Sequence, residues 1–221
     1  MEDSVAPQLV IFDSDGVLVD SEPIASRILA EALTELGFPL TPEQAIERYT
    51  GIAMSAVLAR IEAEWGRPLP DDFRATLRER DFSAFRAQLQ PVPGVREMLE
   101  QLRHARCVAS SGTPEKLRVT LGVTGLLPCF EPHIFSAEMV SRGKPAPDLF
   151  LFAARQMGFR PEDCTVVEDS VAGIRAARAA GMRAVGFAGG GHAGAGYAEM
   201  LRHAGAESVF ARMTELAAFL D

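Results

Sequence analysis

The chain has 221 residues, of which 48% are hydrophobic, and a net charge of -8. This length and composition predict one large globular domain, or a core with a small insertion, and the acidic balance disfavours nucleic acid as a partner. No apolar segment approaches the ~20 residues that span a bilayer, and the chain does not begin with a signal-peptide pattern, so we expect no membrane contact and a cytoplasmic location.

The first predicted element is the strand Leu9–Phe12, an apolar segment followed by a cluster of aspartates. Asp13 and Asp15 come at its carboxyl end, before a turn at Gly16, and open parallel sheets bind their ligands at that edge. Two adjacent carboxylates repel each other, which a divalent cation relieves, and a carboxylate can also act as a nucleophile that forms an aspartyl phosphate. An alternative that stays open is a simple turn in which the aspartates cap backbone amides.

A helical segment of about seventy residues follows, without a strand pattern. Apolar positions at helical spacing predict a helix near residues 24–36, and a capping box at 41–44 begins a second one. Two further helices are predicted at residues 54–65 and 73–89. Prolines and a glycine at residues 90–94 end the segment.

Beyond residue 94, predicted helices alternate with short strands, a pattern that indicates a parallel sheet covered by helices on both faces. The first strand must join this sheet, because a single strand has no partner. The sequence therefore predicts an α/β fold: a Rossmann-like parallel-sheet core, residues 1–20 and 92–221, with an inserted α-helical cap domain, residues 21–91. The predicted strands are 107–109, 133–136, 164–167, 183–187 and 207–211, and the predicted helices are 95–104, 114–121, 147–157, 171–180, 197–203 and 213–220.

Three more groups of polar residues follow predicted strands at the same edge of the sheet. Taken singly, each has a structural explanation as a helix cap or a surface charge. Taken together, carboxylates, hydroxyls and an ammonium group at one edge predict a ligand site. The residues are Ser110 and Ser111 after the second strand, Lys144 in a proline-rich loop after the third, and Glu168 and Asp169 after the fourth.

The three cysteines, Cys107, Cys129 and Cys164, are an odd number without the spacing of a metal site. Each lies among apolar residues. We therefore expect small buried side chains in a reducing compartment, and neither a disulfide framework nor a zinc site.

In chain order, the segment 13–17, Ser110, Lys144 and the pair Glu168-Asp169 resemble the four motifs of the haloacid dehalogenase superfamily. Segments 20–23 and 169–181 resemble the phosphatases of its β-phosphoglucomutase-like branch, which carry a helical cap between the first and second motifs. The resemblance covers essentially the whole chain. Dehalogenases of this fold lack an aspartate at the position of Asp15, so the resemblance implies phosphoryl transfer to or from oxygen.

The resemblance also implies roles for the motif residues. Asp13 would be the nucleophile that forms an aspartyl phosphate, and Asp15 would protonate the leaving oxygen and then activate water. Ser110 and Lys144, with the backbone amides of Ser14 and Ser111, would bind the phosphoryl oxygens. The implied cofactor is Mg²⁺, bound by Asp13, Asp169 and the backbone carbonyl of Asp15, with Glu168 as a neighbouring or alternative ligand.

The implied substrate is a small phosphorylated metabolite. Sugar-phosphate mutases of the branch have a cap histidine twelve residues after the nucleophile, where this chain has Ala25, and a cap arginine near the place of Met54. Both differences favour hydrolysis, although a β-phosphoglucomutase-type mutase remains an alternative. Segment 20–27 resembles sugar-acid phosphatases such as that for 6-phosphogluconate. Candidate cap residues facing the site, each equally explained by surface contacts, are Glu22, Ser26, Arg48, Thr50 and Arg78.

Two further classes of function have some support in the sequence. Residues 189–194 satisfy the Gly-x-Gly-x-x-Gly pattern of dinucleotide binders, but the next strand does not end in an acidic residue, so we expect a flexible loop in which His192 is exposed. A phospho-ligand sensor is a remoter alternative, which the cap and Asp15 oppose because a sensor needs a long-lived phosphoryl group. We expect a monomer or a weak homodimer.

Overall fold

A sheet of parallel strands organises the structure, a computed structural model that describes residues 9–52 and 54–220. Within these residues the strand order is β3-β2-β1-β4-β5-β6, and every adjacent pair is parallel. This confirms the predicted α/β fold with a Rossmann-like core. The strands are β1 (Leu9–Phe12), β2 (Ala105–Ser110), β3 (Ile134–Ser136), β4 (Cys164–Glu168), β5 (Arg183–Phe187) and β6 (Ser208–Phe210).

The described part of the chain contains ten α-helices, four of which lie in sequence between β1 and α5. Residues 1–8 and 221 of the predicted core, and residue 53 of the predicted cap, lie outside the described residues. The helices are α1 (Glu22–Glu35), α2 (Pro42–Tyr49), α3 (Met54–Trp65), α4 (Phe73–Gln88), α5 (Val95–Gln101), α6 (Pro114–Val123), α7 (Asp148–Met157), α8 (Val171–Ala179), α9 (Tyr197–His203) and α10 (Met213–Leu220).

The predicted helix 95–104 was too long at its carboxyl end. Leu102 already has an extended backbone, with φ -65° and ψ 116°, so the helix ends at Gln101. The chain has to straighten there because β2 begins at Ala105, which pairs with Leu9. Strand β2 is also longer than predicted at both ends.

Strand β1 is buried on both faces, which explains its unbroken apolar sequence. Val10 and Phe12 belong to one hydrophobic cluster, and Leu9 and Ile11 to the cluster on the opposite face of the sheet. All four side chains are fully buried. Because burial of each such side chain contributes about 1.5–3 kcal/mol, β1 is a rigid support for the aspartates that follow it.

Helices α1 to α4 enclose a hydrophobic cluster of their own, which includes Leu33, Tyr49 and Ile61. The carboxyl half of α4 instead joins the core cluster through Phe82 and Phe85. A separate cluster is what a cap domain requires, while the boundaries at residues 21 and 91 stay a prediction.

The chain crosses between the core and the helical segment twice, and the two crossings lie side by side. Val19 and Pro91 form an antiparallel bridge. The Asp20 N–H donates to the Gln90 carbonyl at 3.1 Å, and the Val92 N–H donates to the Leu18 carbonyl at 3.0 Å. The two connections therefore form a short two-stranded ribbon.

None of the helices in residues 9–52 and 54–220 combines the length and apolar character that a membrane span requires. All three cysteines are free thiols; Cys107 and Cys164 are buried, and Cys129 is partly exposed. The sulfur of Cys164 lies 3.2 Å from the Arg160 carbonyl, to which it donates. These placements agree with small packing side chains.

Candidate active site

Three carboxylates meet where the adjacent strands β1 and β4 end. Asp13 follows β1 and extends its pairing, since the Asp13 N–H donates to the Val167 carbonyl at 2.9 Å. Glu168 ends β4, and Asp169 follows it. Carboxylate oxygens of Asp13, Glu168 and Asp169 lie within 4.8 Å of one another, and all three residues are buried. In this strand order, the switch point between β1 and β4 is where such sheets bind ligands.

Lys144 supplies a positive charge to this cluster from a distant part of the chain. Its Nζ lies 2.6 Å from Asp13 Oδ1 and also contacts the Glu168 carboxylate, and its side chain is 4% exposed. Burial opposes the charged form, but Asp13 and Glu168 outweigh it and raise the pKa of Lys144 above its usual value. Lys144 is therefore a buried ammonium group.

The cluster holds more negative charge than Lys144 balances. Burial raises the pKa of Asp13 well above its usual value, although Lys144 opposes this, and the charges of Glu168 and Asp169 raise it further. Burial also raises the pKa of Asp169 to about 6 against a hydrogen bond from His192. A second cation would favour the ionised carboxylates, and buried carboxylate oxygens are the ligands that Mg²⁺ prefers. The donor set therefore fits a divalent cation of this type.

Both oxygens of Glu168 are engaged by the protein. Oε2 accepts from the Ser170 N–H at 2.8 Å and from the Ser170 hydroxyl at 2.9 Å, while Oε1 contacts Lys144. The carboxylate also lies at the amino end of α8, where the helix dipole favours negative charge. Glu168 thus holds Lys144 in the direction of Asp13.

Asp15 has a separate set of partners. Its Oδ2 accepts from Lys116 Nζ at 2.9 Å, and its Oδ1 accepts from the Ser21 hydroxyl. Burial raises the pKa of Asp15, but Lys116 and Ser21 outweigh burial and the net pKa is lowered. The two aspartates of the first motif therefore face different environments, one paired with Lys144 and the other with Lys116.

Ser110 ends β2, beside β1, and is buried. Its Oγ accepts from the Gly112 N–H at 3.2 Å, and the Ser136 hydroxyl donates to the Gly112 carbonyl at 2.7 Å. These bonds fix the loop after β2 at the same edge of the sheet as the carboxylates. Ser111, the next residue, is exposed.

The turn between α2 and α3 lies against the core next to Asp169. A Cβ added to Gly51 would be 3.5 Å from the Ser170 side chain. The neighbouring Thr50 hydroxyl is buried and finds no hydrogen-bond partner in the described residues. On α1, burial raises the pKa of Glu22 to about 7, while Lys116 opposes this and Asp15 adds to it. The structure thus places Glu22 near Asp15 and Asp169, and the turn that carries Thr50 against Ser170.

The other cap candidates have partners or surroundings of their own. Arg48 pairs through its guanidinium with Glu64, because α2 and α3 bring them together, which is the surface pairing that was the alternative to a role in the site. Arg78 pairs with Glu115 on α6 at 3.3 Å, with both side chains more than half exposed, so it links cap and core at the surface. Ser26 is buried on α1.

The expectation that His192 is exposed is wrong. Its side chain is fully buried, with Nε2 3.1 Å from Asp169 Oδ2 and 3.0 Å from the Tyr197 hydroxyl oxygen. Burial lowers the pKa of His192, but the hydrogen bond to Asp169 outweighs burial and the net pKa is raised. The loop that carries it therefore reaches the carboxylate cluster.

The sequence matches the family model described as haloacid dehalogenase-like hydrolase over residues 7–181. The chain belongs to this family. It is a phosphatase of the haloacid dehalogenase type, in agreement with the resemblance of its motifs and with the names of its relatives.

Two curated relatives and one solved structure of the haloacid dehalogenase-like family show the extent of the similarity. The 6-phosphogluconate phosphatase of Escherichia coli is 32% identical over 176 residues, 79% of this chain and 80% of the relative. The phosphorylated carbohydrates phosphatase of Thermotoga maritima is 31% identical over 79% of this chain and 82% of the relative. A hydrolase of the family from Deinococcus radiodurans, solved with bound phosphate and sodium, superposes with a TM-score of 0.81 at 37% identity, covering 97% and 96% of the two chains.

Two charged residues near the motifs of this hydrolase, Lys116 and Asp81, were not among the residues that the sequence singled out. The position of Lys116 could have indicated an anionic partner. A lysine in the first turn of a helix is unfavourable with respect to the helix dipole, so another interaction has to compensate. Asp81 on α4 has a pKa raised to about 7 by burial, with Lys116 opposing. Nothing in the local sequence distinguishes it from a surface aspartate.

Proposed function

We propose that this protein is a Mg²⁺-dependent phosphomonoester hydrolase that acts through an aspartyl phosphate on a small phosphorylated metabolite. The observation that supports this most is the pair of aspartates after β1: Asp13 lies in the buried cluster with Lys144, and Asp15 is bound separately by Lys116. A nucleophile and an acid–base group two residues apart, each held by its own ammonium partner, suit a two-step phosphoryl transfer.

In the first step, an Asp13 oxygen attacks phosphorus while the bond from phosphorus to the leaving oxygen breaks. Asp15 gives a proton to that oxygen, so the alcohol leaves uncharged. Lys144 and the Ser110 hydroxyl bind the phosphoryl oxygens and offset their charge in the transition state. The product on the enzyme is the acyl phosphate of Asp13, a mixed anhydride of its carboxyl group and phosphoric acid.

In the second step, water attacks the phosphorus of the aspartyl phosphate and its proton passes to Asp15. Cleavage of the bond between phosphorus and the Asp13 oxygen restores the carboxylate and releases inorganic phosphate. Asp15 ends protonated, ready for the next leaving group. The same side chain thus serves as acid and then as base.

Mg²⁺ would be held by Asp13, Asp169 and the backbone carbonyl of Asp15, with Glu168 orienting Lys144 beside them. When bound, it supplies positive charge that allows an anionic carboxylate to approach an anionic phosphoryl group. The buried excess of carboxylates over ammonium groups supports this assignment.

We propose a sugar or sugar-acid phosphate, such as 6-phosphogluconate, as the substrate. The names of the two curated relatives support this class. Ala25, at the position of the mutase histidine, packs against the core cluster and offers no acid–base group, which supports hydrolysis over isomerisation. The cytoplasmic location and the monomeric or weakly dimeric state stay predictions.

Phosphate release should be dependent on Mg²⁺ and strongest with sugar or sugar-acid monophosphates. We would assay a panel of sugar, sugar-acid and nucleotide monophosphates with Mg²⁺, with EDTA, and with Mg²⁺ restored after EDTA. Isomerised sugar phosphate without released phosphate would identify a mutase instead. No turnover of any compound would favour a phospho-ligand sensor.

Replacement of Lys116 by Met should lower kcat and move the acidic limb of its pH profile to higher pH. Lys116 lowers the pKa of Asp15, so its loss leaves Asp15 protonated to higher pH, where it cannot accept a proton from water. The measurement is kcat against pH for Lys116→Met and Lys116→Arg, which keeps the charge. Arg118→Met, on the exposed side of the same helix, is the matched control. An unchanged acidic limb in Lys116→Met would refute the role of this pair.

A further inference from the structure

The loop between β5 and α9 brings His192 into the carboxylate cluster, although glycine-rich sequence predicted a flexible surface segment. The His192 side chain is fully buried, and its Nε2 lies 3.1 Å from Asp169 Oδ2. The His192 ring also packs edge-on against Tyr197, with ring centres 5.0 Å apart. The four motifs that define the family do not include this loop.

The loop is held tightly against its neighbours. A Cβ on Gly190 would lie 2.8 Å from the Gly16 carbonyl oxygen, and a Cβ on Gly16 would lie 1.9 Å from Asp169 Oδ2 and 2.6 Å from His192 Cε1. The Gly191 N–H also donates to Asp20 Oδ1 at 2.8 Å. Glycine is required at positions 16 and 190 because the loops after β1, β4 and β5 pack there with no room for a side chain. His192 therefore has little freedom to leave Asp169.

The chemistry of the contact assigns a direction to the hydrogen bond. An ionised carboxylate only accepts, so the contact uses a hydrogen on His192 Nε2, which faces Asp169 Oδ2 at 3.1 Å and the Tyr197 hydroxyl oxygen at 3.0 Å. The other ring nitrogen, Nδ1, is buried and has no hydrogen-bond partner among the described side chains and backbone. The bond engages one carboxylate oxygen of Asp169 and fixes the rotation of the group, which sets the direction of the other oxygen, Oδ1.

We propose that His192 is a positioning residue that orients Asp169 to bind the divalent cation, so that the loop 189–196 is part of the active site. The inference rests on the proposed Mg²⁺ site. Groups that orient metal-binding side chains in this way typically contribute 10- to 100-fold to metal affinity. His192 would touch neither the substrate nor the reacting phosphorus.

The test is direct Mg²⁺ binding by isothermal titration calorimetry, together with the rise in Tm on adding Mg²⁺. His192→Phe fills the space without a donor and should weaken Mg²⁺ binding by roughly 10- to 100-fold, with much of kcat recovered at high Mg²⁺. His192→Gln, whose amide N–H can donate to Asp169, should recover part of the affinity. His203→Ala, on the exposed side of α9, is the control and should bind Mg²⁺ as wild type does.

Equal Mg²⁺ affinity in wild type and His192→Phe would overturn the proposal, as would equal losses in the Phe and Gln variants. Where His192→Phe does not fold, judged by circular dichroism, His192→Ala takes its place in the same comparison. A wild-type protein that binds no Mg²⁺ would overturn the metal site and this inference together. If Asp169→Asn abolishes Mg²⁺ binding while the His192 variants bind Mg²⁺ as tightly as wild type, this inference alone is overturned.

Discussion

The Asp13→Asn enzyme should release phosphate about 10⁴-fold more slowly than wild type, or slower still, at saturating substrate and Mg²⁺. The amide has nearly the shape of the carboxylate, but it is neutral and does not form an acyl phosphate. Lys144 keeps Glu168 as a partner, so the loop that carries it should stay in place. Because burial and the neighbouring carboxylates outweigh Lys144 and disfavour the ionised form of Asp13, the substitution should not lower Tm appreciably.

The measurement is kcat for phosphate release with the best substrate of the panel, accompanied by Tm. Asp163→Asn is the matched control, since Asp163 pairs with Arg160 at the surface and should retain full activity. Intact-mass analysis should detect a phosphorylated protein in Asp15→Asn treated with acetyl phosphate, whose leaving group needs no proton from Asp15, and none in the double variant with Asp13→Asn. An Asp13→Asn enzyme with activity within tenfold of wild type would rule out the aspartyl phosphate.

Lys144→Met should reduce kcat by about 10³-fold and destabilise the metal-free protein by about 3 kcal/mol, or roughly 10 °C in Tm. Lys144 is 4% exposed, and its removal leaves buried carboxylates without a partner. It also removes the charge proposed to bind the phosphoryl oxygens. Mg²⁺ should raise the Tm of the variant more than that of wild type, because the added cation replaces part of the missing charge.

The measurement is kcat together with Tm in EDTA and in Mg²⁺. Arg142→Met changes a cation of the same loop that is 71% exposed and pairs with Asp148, so it should leave kcat and Tm near wild type. A Tm in EDTA equal to that of wild type would show that Lys144 does not balance the carboxylates. A kcat equal to that of wild type would show that Lys144 does not bind the phosphoryl oxygens.

The positions of the core motifs could be predicted because each follows a strand that is recognisable from its own apolar residues. Asp13 comes after four consecutive apolar residues, and Glu168-Asp169 after another apolar strand, so parallel pairing alone brings the carboxylates to one edge. Lys144 was placed at the same edge as part of the loop after the third predicted strand, and the order of the motifs agreed, although it lies 131 residues from Asp13. The helical segment was predictable from periodicity and from its glycine and proline ends.

The remaining site residues depend on tertiary packing that no local pattern encodes. The rotation of α6 decides that Lys116 points to Asp15, and the packing of α2 on α3 turns Arg48 to Glu64. The path of the glycine-rich loop has no periodicity, so the burial of His192 could not be read from it. The end of α5 at Gln101 likewise reflects the pairing of Ala105 with Leu9.

The ribbon formed by the two connections restricts how the cap can move relative to the core. Because Asp20 bonds to Gln90 and Val92 bonds to Leu18, the connections cannot lengthen or slide independently without breaking these bonds. A swing of the helices about the ribbon preserves both bonds, whereas a lateral shift does not. The two connections would therefore act together, as one hinge between the helical segment and the core.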